Sequence, residues 1–130
     1  MSTLRTNALE GVDAKNSITI VAGAGNITTT NVQEGIAKAW VNITGTSTTV
    51  AKDSFNVSGL TDTATGRTQV AINNNMNNDD FAVGASSRAD GTVDNSDQKT
   101  TGNFELMSID NAGNTADTPH SVCTIVGDLA

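Results

Sequence analysis

Residues 35–59, GIAKAWVNITGTSTTVAKDSFNVSG, hold the only Trp of the chain, a strand-like alternation and a turn within one block. Side chains of an extended chain point alternately to its two faces. Ala37, Ala39, Val41 and Ile43 therefore share one face, and Lys38, Trp40 and Asn42 the other. One apolar and one mixed face predict a half-buried strand. A Thr/Ser/Gly turn follows over Thr44 to Thr49, and Asp53-Ser-Phe-Asn-Val-Ser-Gly sets Phe55 and Val57 on a second short strand.

Working outward, the composition suits the same architecture. The chain has 130 residues, one domain by size, of which 36% are hydrophobic and 3% aromatic, with no Tyr. Thr, Asn, Ser, Gly and Ala dominate, a mixture poor in helix formers and compatible with short strands joined by tight turns. Few large side chains are on hand for a core, among them Leu60, Met76 and Met107. That is thin for a lone chain, so neighbouring subunits are expected to add to its stability.

From Gly35 onward the chain reads as strand and turn in alternation, with strands expected near 36–43, 48–52, 54–60, 67–73, 80–88, 99–110 and 119–126. About seven short strands with turn signals between them predict an all-β fold, an antiparallel β-sandwich over residues 35–130. The packing residues expected along it are Trp40, Phe55, Val57, Val70, Ile72, Phe81, Val83, Phe104, Leu106, Val122 and Ile125. Gly66 closes a hairpin in Thr61-Asp-Thr-Ala-Thr-Gly, where positive φ is needed. Residues 73–80 form a polar link with Met76 as its apolar anchor and room for one helical turn. Gly84 stands on the outer side of its strand, where it would mark a close backbone approach or a bulge. Residues 89–98, ADGTVDNSDQ, show turn residues without a period, and are expected to be the longest surface loop.

Residues 1–34 differ from the rest. Their single short apolar stretch, Ile18-Thr-Ile-Val-Ala, cannot bury enough area to fold alone, so they predict an extended N-terminal arm for attachment or oligomerisation. The N-terminus has no apolar h-region and no run approaches a membrane span, so the expected protein is made in the cytoplasm and is not secreted.

The formal net charge is −7, and the seven basic residues are scattered. A nucleic-acid reader needs a basic stripe, and an anionic membrane repels an acidic chain, so neither is an expected partner.

Candidate chemistry is sparse. Cys123 is the only Cys, which rules out an internal disulfide, and it reads as a small core hydrophobe. His120 stands three residues away, on the opposite face of a strand, and does not form a nucleophile pair with it. Asp79, Asp80, Asp90, Asp94, Asp97 and Glu105 offer carboxylates for glycoside cleavage, but the chain lacks the aromatic subsites that such a site uses. No enzyme is expected and no cofactor. Asp90, Asp94 and Asp97 provide hard oxygen donors for a Ca²⁺ ion, at spacings that do not match an EF-hand; a solvated acidic loop is the competing reading. Gly23-Ala-Gly25 lacks the third Gly and the helix of a dinucleotide loop. Trp40 has two readings, packing against the arm or a neighbouring subunit and stacking on a sugar ring, with packing preferred.

The wording AKAWVN…GT…DSFNVS resembles a module common in fibre, collar and other virion appendage proteins of tailed bacteriophages, marine and cyanobacterial ones especially. The likeness continues in order. It runs through a Thr-Asp…Thr-Gly turn, the strand Thr68-x-Val-x-Ile-Asn, the link into Asp80-Phe-Ala-Val, and Ala112-Gly-x-x-x-Asp before a closing strand ending Val126-Gly-Asp. The leader MSTLRTNAL and the approach TTTNVQEGI are similar as well. Departures fall at Ile43, where the pattern often has Phe, at Thr68 or Gln69, where it has an aromatic, and at Phe81, where it has Tyr. The resemblance implies a structural virion protein of short fibre, collar or spike type. Its expected partners are copies of itself in a homotrimer, other virion proteins through the arm, and host-surface glycans. It implies no catalytic residues. A capsid decoration protein and a free-standing carbohydrate-binding module are the alternatives.

Overall fold

The computed structural model describes residues 6, 8, 19–22, 28–31, 35–46, 48–88 and 91–130, of which 19–22, 28–31 and 92–97 are described by backbone alone. Two compact units separate at Ile36 and Ala37. In the first, β1 (Thr19–Ala22) and β2 (Thr28–Asn31) pair antiparallel, Thr19 opposite Asn31 and Ala22 opposite Thr28.

The second unit holds eight strands. They are β3 (Ala39–Thr44), β4 (Val50–Phe55), β5 (Val57–Ala64), β6 (Arg67–Ile72), β7 (Ala82–Ser87), β8 (Gly91–Thr100), β9 (Asn103–Ile109) and β10 (Ser121–Val126). Two four-stranded antiparallel sheets result, ordered β4-β3-β10-β7 and β5-β6-β9-β8. The first and last strands of the unit thus lie side by side in the middle of one sheet.

Both sheets are built by alternation. Along β3, Ala39, Val41 and Ile43 are buried while Trp40 is exposed; along β10, Ser121, Cys123 and Ile125 are buried while Thr124 and Val126 are exposed. Val70 and Ile72 of β6 and Phe104 and Leu106 of β9 come from the other sheet into the same buried cluster, which makes the unit a sandwich. Phe81 and Phe104 meet edge to face at 6.0 Å. The Lys99 ammonium lies 5.0 Å from the Phe81 ring centre and donates to the Phe81 carbonyl at 3.0 Å.

The chain passes from one sheet to the other at Asn56, whose φ of 55° is the only positive value at a non-glycine among the described residues. Its amide nitrogen donates to the Lys38 carbonyl at 2.9 Å, its side-chain oxygen accepts from the Asn74 N–H at 2.8 Å, and its carbonyl accepts from the Asn73 N–H at 3.1 Å. Gly66 turns the β5–β6 hairpin at a φ of 68°. It is wedged: a Cβ there would stand 2.5 Å from the Ala116 nitrogen, and its own N–H donates to the Asp117 carboxylate at 2.6 Å.

Three expectations need correction. Residues 91–98, expected in a loop, belong to β8, whose Gly91 to Asn95 pair with Ile109 to Glu105 of β9. Edge strands carry polar and charged residues that discourage further pairing, and such a polar sequence reads as loop. The link at 73–80 has no helical turn; Met76 instead bridges Leu129 and is buried. Gly84 marks neither a bulge nor a close approach, because the β7–β10 register is unbroken and a Cβ at Gly84 would meet only the Thr124 carbonyl, at 3.9 Å.

Candidate functional site

Exposed large apolar side chains gather on the outer face of the sheet β4-β3-β10-β7. Trp40 is 36% exposed and Phe55 54%, and the β3–β4 register sets them directly opposite one another. Trp40 also faces Thr124 of β10, which faces Gly84 of β7. One row across four strands thus reads Phe55, Trp40, Thr124, Gly84. Two aromatic rings end in a step down to a small side chain and a bare backbone, against which a flat apolar ring could lie. Val126 lies on the same face of β10, and Val50 on that of β4, opposite Thr44. Asn42 Oδ1 and Thr44 Oγ1, on the Trp40 side of β3, are shielded from solvent without a hydrogen-bond partner.

At one end of the sandwich lies a second candidate, a cavity of about 20 Å³ between Ile43, Gly66, Asp117, Thr118, Ser108 and Ser121. It has room for about one water. Ser108 and Ser121, both buried, have their hydroxyls 3.4 Å apart beside it. Small-molecule sites are an order of magnitude larger.

Of the side chains expected to pack, Val70, Ile72, Phe81, Phe104, Leu106 and Ile125 are buried, and Val57 and Val83 are partly buried against the core. Phe55 is a correction. Its register partner is Trp40, so it lies on the outer face of the sheet, away from the opposing sheet, on an edge strand whose six residues are all exposed. Val122 is corrected too: it precedes Cys123 on β10, and pleating turns it to the outer face, where it is half-buried. Trp40 stands exposed on the outer face within the second unit.

Asp90 lies outside the described residues, as do the side chains of Asp94 and Asp97, whose backbones belong to β8. Among the described residues no group of three or more His, Cys, Asp or Glu side chains could hold a metal ion. Cys123 is buried and His120 half-buried.

Two features went unread in the sequence. Glu105 is 5% exposed although it alternates with core residues; its carboxylate accepts the Thr63 hydroxyl at 2.6 Å and lies 3.6 Å from the Arg67 guanidinium. Both partners come from the neighbouring hairpin, which no local pattern reveals. Asp110, after β9, accepts the backbone N–H groups of Asn114 and Ala112, each at 2.9 Å. The Asn114 bond, with Ala112 and Gly113 assisting, holds its carboxyl below the usual 3.8, against a smaller effect of burial.

No family model, curated protein or solved structure matches this chain.

Proposed function

We propose that this chain is a structural protein of a tailed-phage virion, an appendage module of short fibre, collar or spike type that contributes to host-surface attachment. The observation that carries the reading is the appendage-like wording kept in one order from Gly35 to Asp128, nearly the span of the compact unit Ala37–Ala130. The sandwich would be the displayed part and residues 1–34 the attachment to other virion proteins, with three copies joined as the resemblance implies. On this reading the protein works by packing and binding and catalyses nothing. Quantitative mass spectrometry and immunogold labelling of purified virions carrying the gene test it: a few copies at the tail or neck are expected. Many copies on each head would make it a capsid decoration protein, and absence from the particle would overturn the proposal.

A second reading, glycan binding, is favoured by one specific observation, the exposed Trp40–Phe55 pair beside Thr124 and Gly84. Sugar rings stack their C–H faces on such aromatics. Glycan affinity of the monomer that Trp40→Ala abolishes would move the assignment there.

A further inference from the structure

We propose that the free edge of β4 is a self-recognition surface, where a second copy of this chain adds its own β4 antiparallel across a two-fold axis between Lys52 and Asp53. β4 is the end strand of its sheet, and every one of its six residues is exposed. An edge strand carries a row of N–H and C=O groups with no strand beside them.

The strand VAKDSF is complementary to itself in this arrangement. Lys52 meets Asp53 of the second copy and Asp53 meets its Lys52, giving two ion pairs astride the axis. Among the described residues, Lys52 and Asp53 form no ion pair within the chain; Asp53 accepts the Ser54 N–H at 2.8 Å. Ala51 meets Ser54, and Val50 meets Phe55, so two side chains that are 51% and 54% exposed cover one another.

Such a match needs both members of each pair on one face of the joined sheet. Five residues apart on a regular strand, Val50 and Phe55 would face opposite ways. The irregularity at Lys52 changes that. Asn42 pairs with Asp53 but Ile43 with Ala51, so Lys52 is an extra residue, and Val50 and Phe55 both fall on the face of Thr44 and Trp40. The bulge, a device that usually discourages edge pairing, here makes the edge self-complementary. A row then runs from Trp40 through Phe55 to Val50 and Thr44 of the second copy. Sliding the register by two residues either way sets Asp53 against Val50 or Lys52 against Phe55, charge against apolar surface, so the charges select the register.

The contact is independent of the virion reading, and it joins chains in pairs. Sedimentation velocity and light scattering on the full chain, over a range of protein concentration, test it. A particle with an even number of chains is expected. Lys52→Asp and Asp53→Lys each set like charges opposite one another twice, and each should weaken the association about tenfold or more. The double reversal, Lys52→Asp with Asp53→Lys, restores opposite charges and should restore the association. Both positions are exposed, so circular dichroism and thermal melting of the variants should stay close to the parent. A monomer at every concentration, an odd-numbered particle, an association indifferent to the single reversals, or a double reversal that fails to recover it would overturn the proposal.

Discussion

At the scale of single residues, Asn56 carries the passage between the two sheets. Positive φ is disfavoured for side chains with a Cβ, and Asn is among the few that adopt it, because its short amide bonds nearby backbone. Here the amide reaches the Lys38 carbonyl and the Asn74 N–H. Asn56→Ala loses these bonds and adds backbone strain, and should cost about 2–3 kcal/mol in urea unfolding. Asn56→Gly removes the strain and should cost only about 1 kcal/mol; a Gly variant less stable than the Ala variant would contradict this account. Asp110 makes a second prediction. Its carboxyl is held below 3.8, so the charged form is preferred by the fold. Such a group contributes stability that is fully present above the ordinary value and is lost as pH falls through the folded one. A carboxyl NMR titration should place Asp110 below the usual carboxylate value, and Asp110→Asn should flatten the acid limb of the stability curve.

At the scale of elements, burial separates two Phe residues that look alike in the sequence. Phe104, on a central strand, is 1% exposed against Phe81, whereas Phe55, on the edge strand, is 54% exposed beside Trp40. Phe104→Ala should cost about 3–5 kcal/mol. Phe55→Ala should cost only the cross-strand pair, about 0.2–1 kcal/mol. Thermal melts of the two variants at concentrations where the chain is monomeric check the ranking, and equal losses there would contradict it. The strands β3, β6, β9 and β10 were legible because each presents one apolar face to a core. β8 was not legible: its residues gain their strand geometry from the backbone of β9, and nothing in a polar run of ten records which neighbour it will meet.

At the scale of the molecule, the buried cluster among the described residues runs from Ala39 to Ile125, with Leu129 packed against it. A chain of residues 37–130 should keep its β-type circular dichroism and melt within about 4 °C of the full chain, the shift that ~1 kcal/mol makes in a domain of this size. Loss of the transition would show that residues 1–36 complete the fold.

Alternation in residues 35–59 was enough to determine a strand with Ala39, Val41 and Ile43 inward, because side-chain direction along an extended backbone is a local property with a period of two. Charge and composition carry the expectation that nucleic acid is not a partner, since a sum over residues does not depend on where they fold. The candidate surface was decided elsewhere. Whether Trp40 and Phe55 stand side by side depends on strand register, whether the far flank of Phe55 is open depends on β4 ending its sheet, and whether Val50 shares their face depends on the extra residue at Lys52. Each is a relation between segments that hydrogen bonding across strands creates, and only the folded chain contains it.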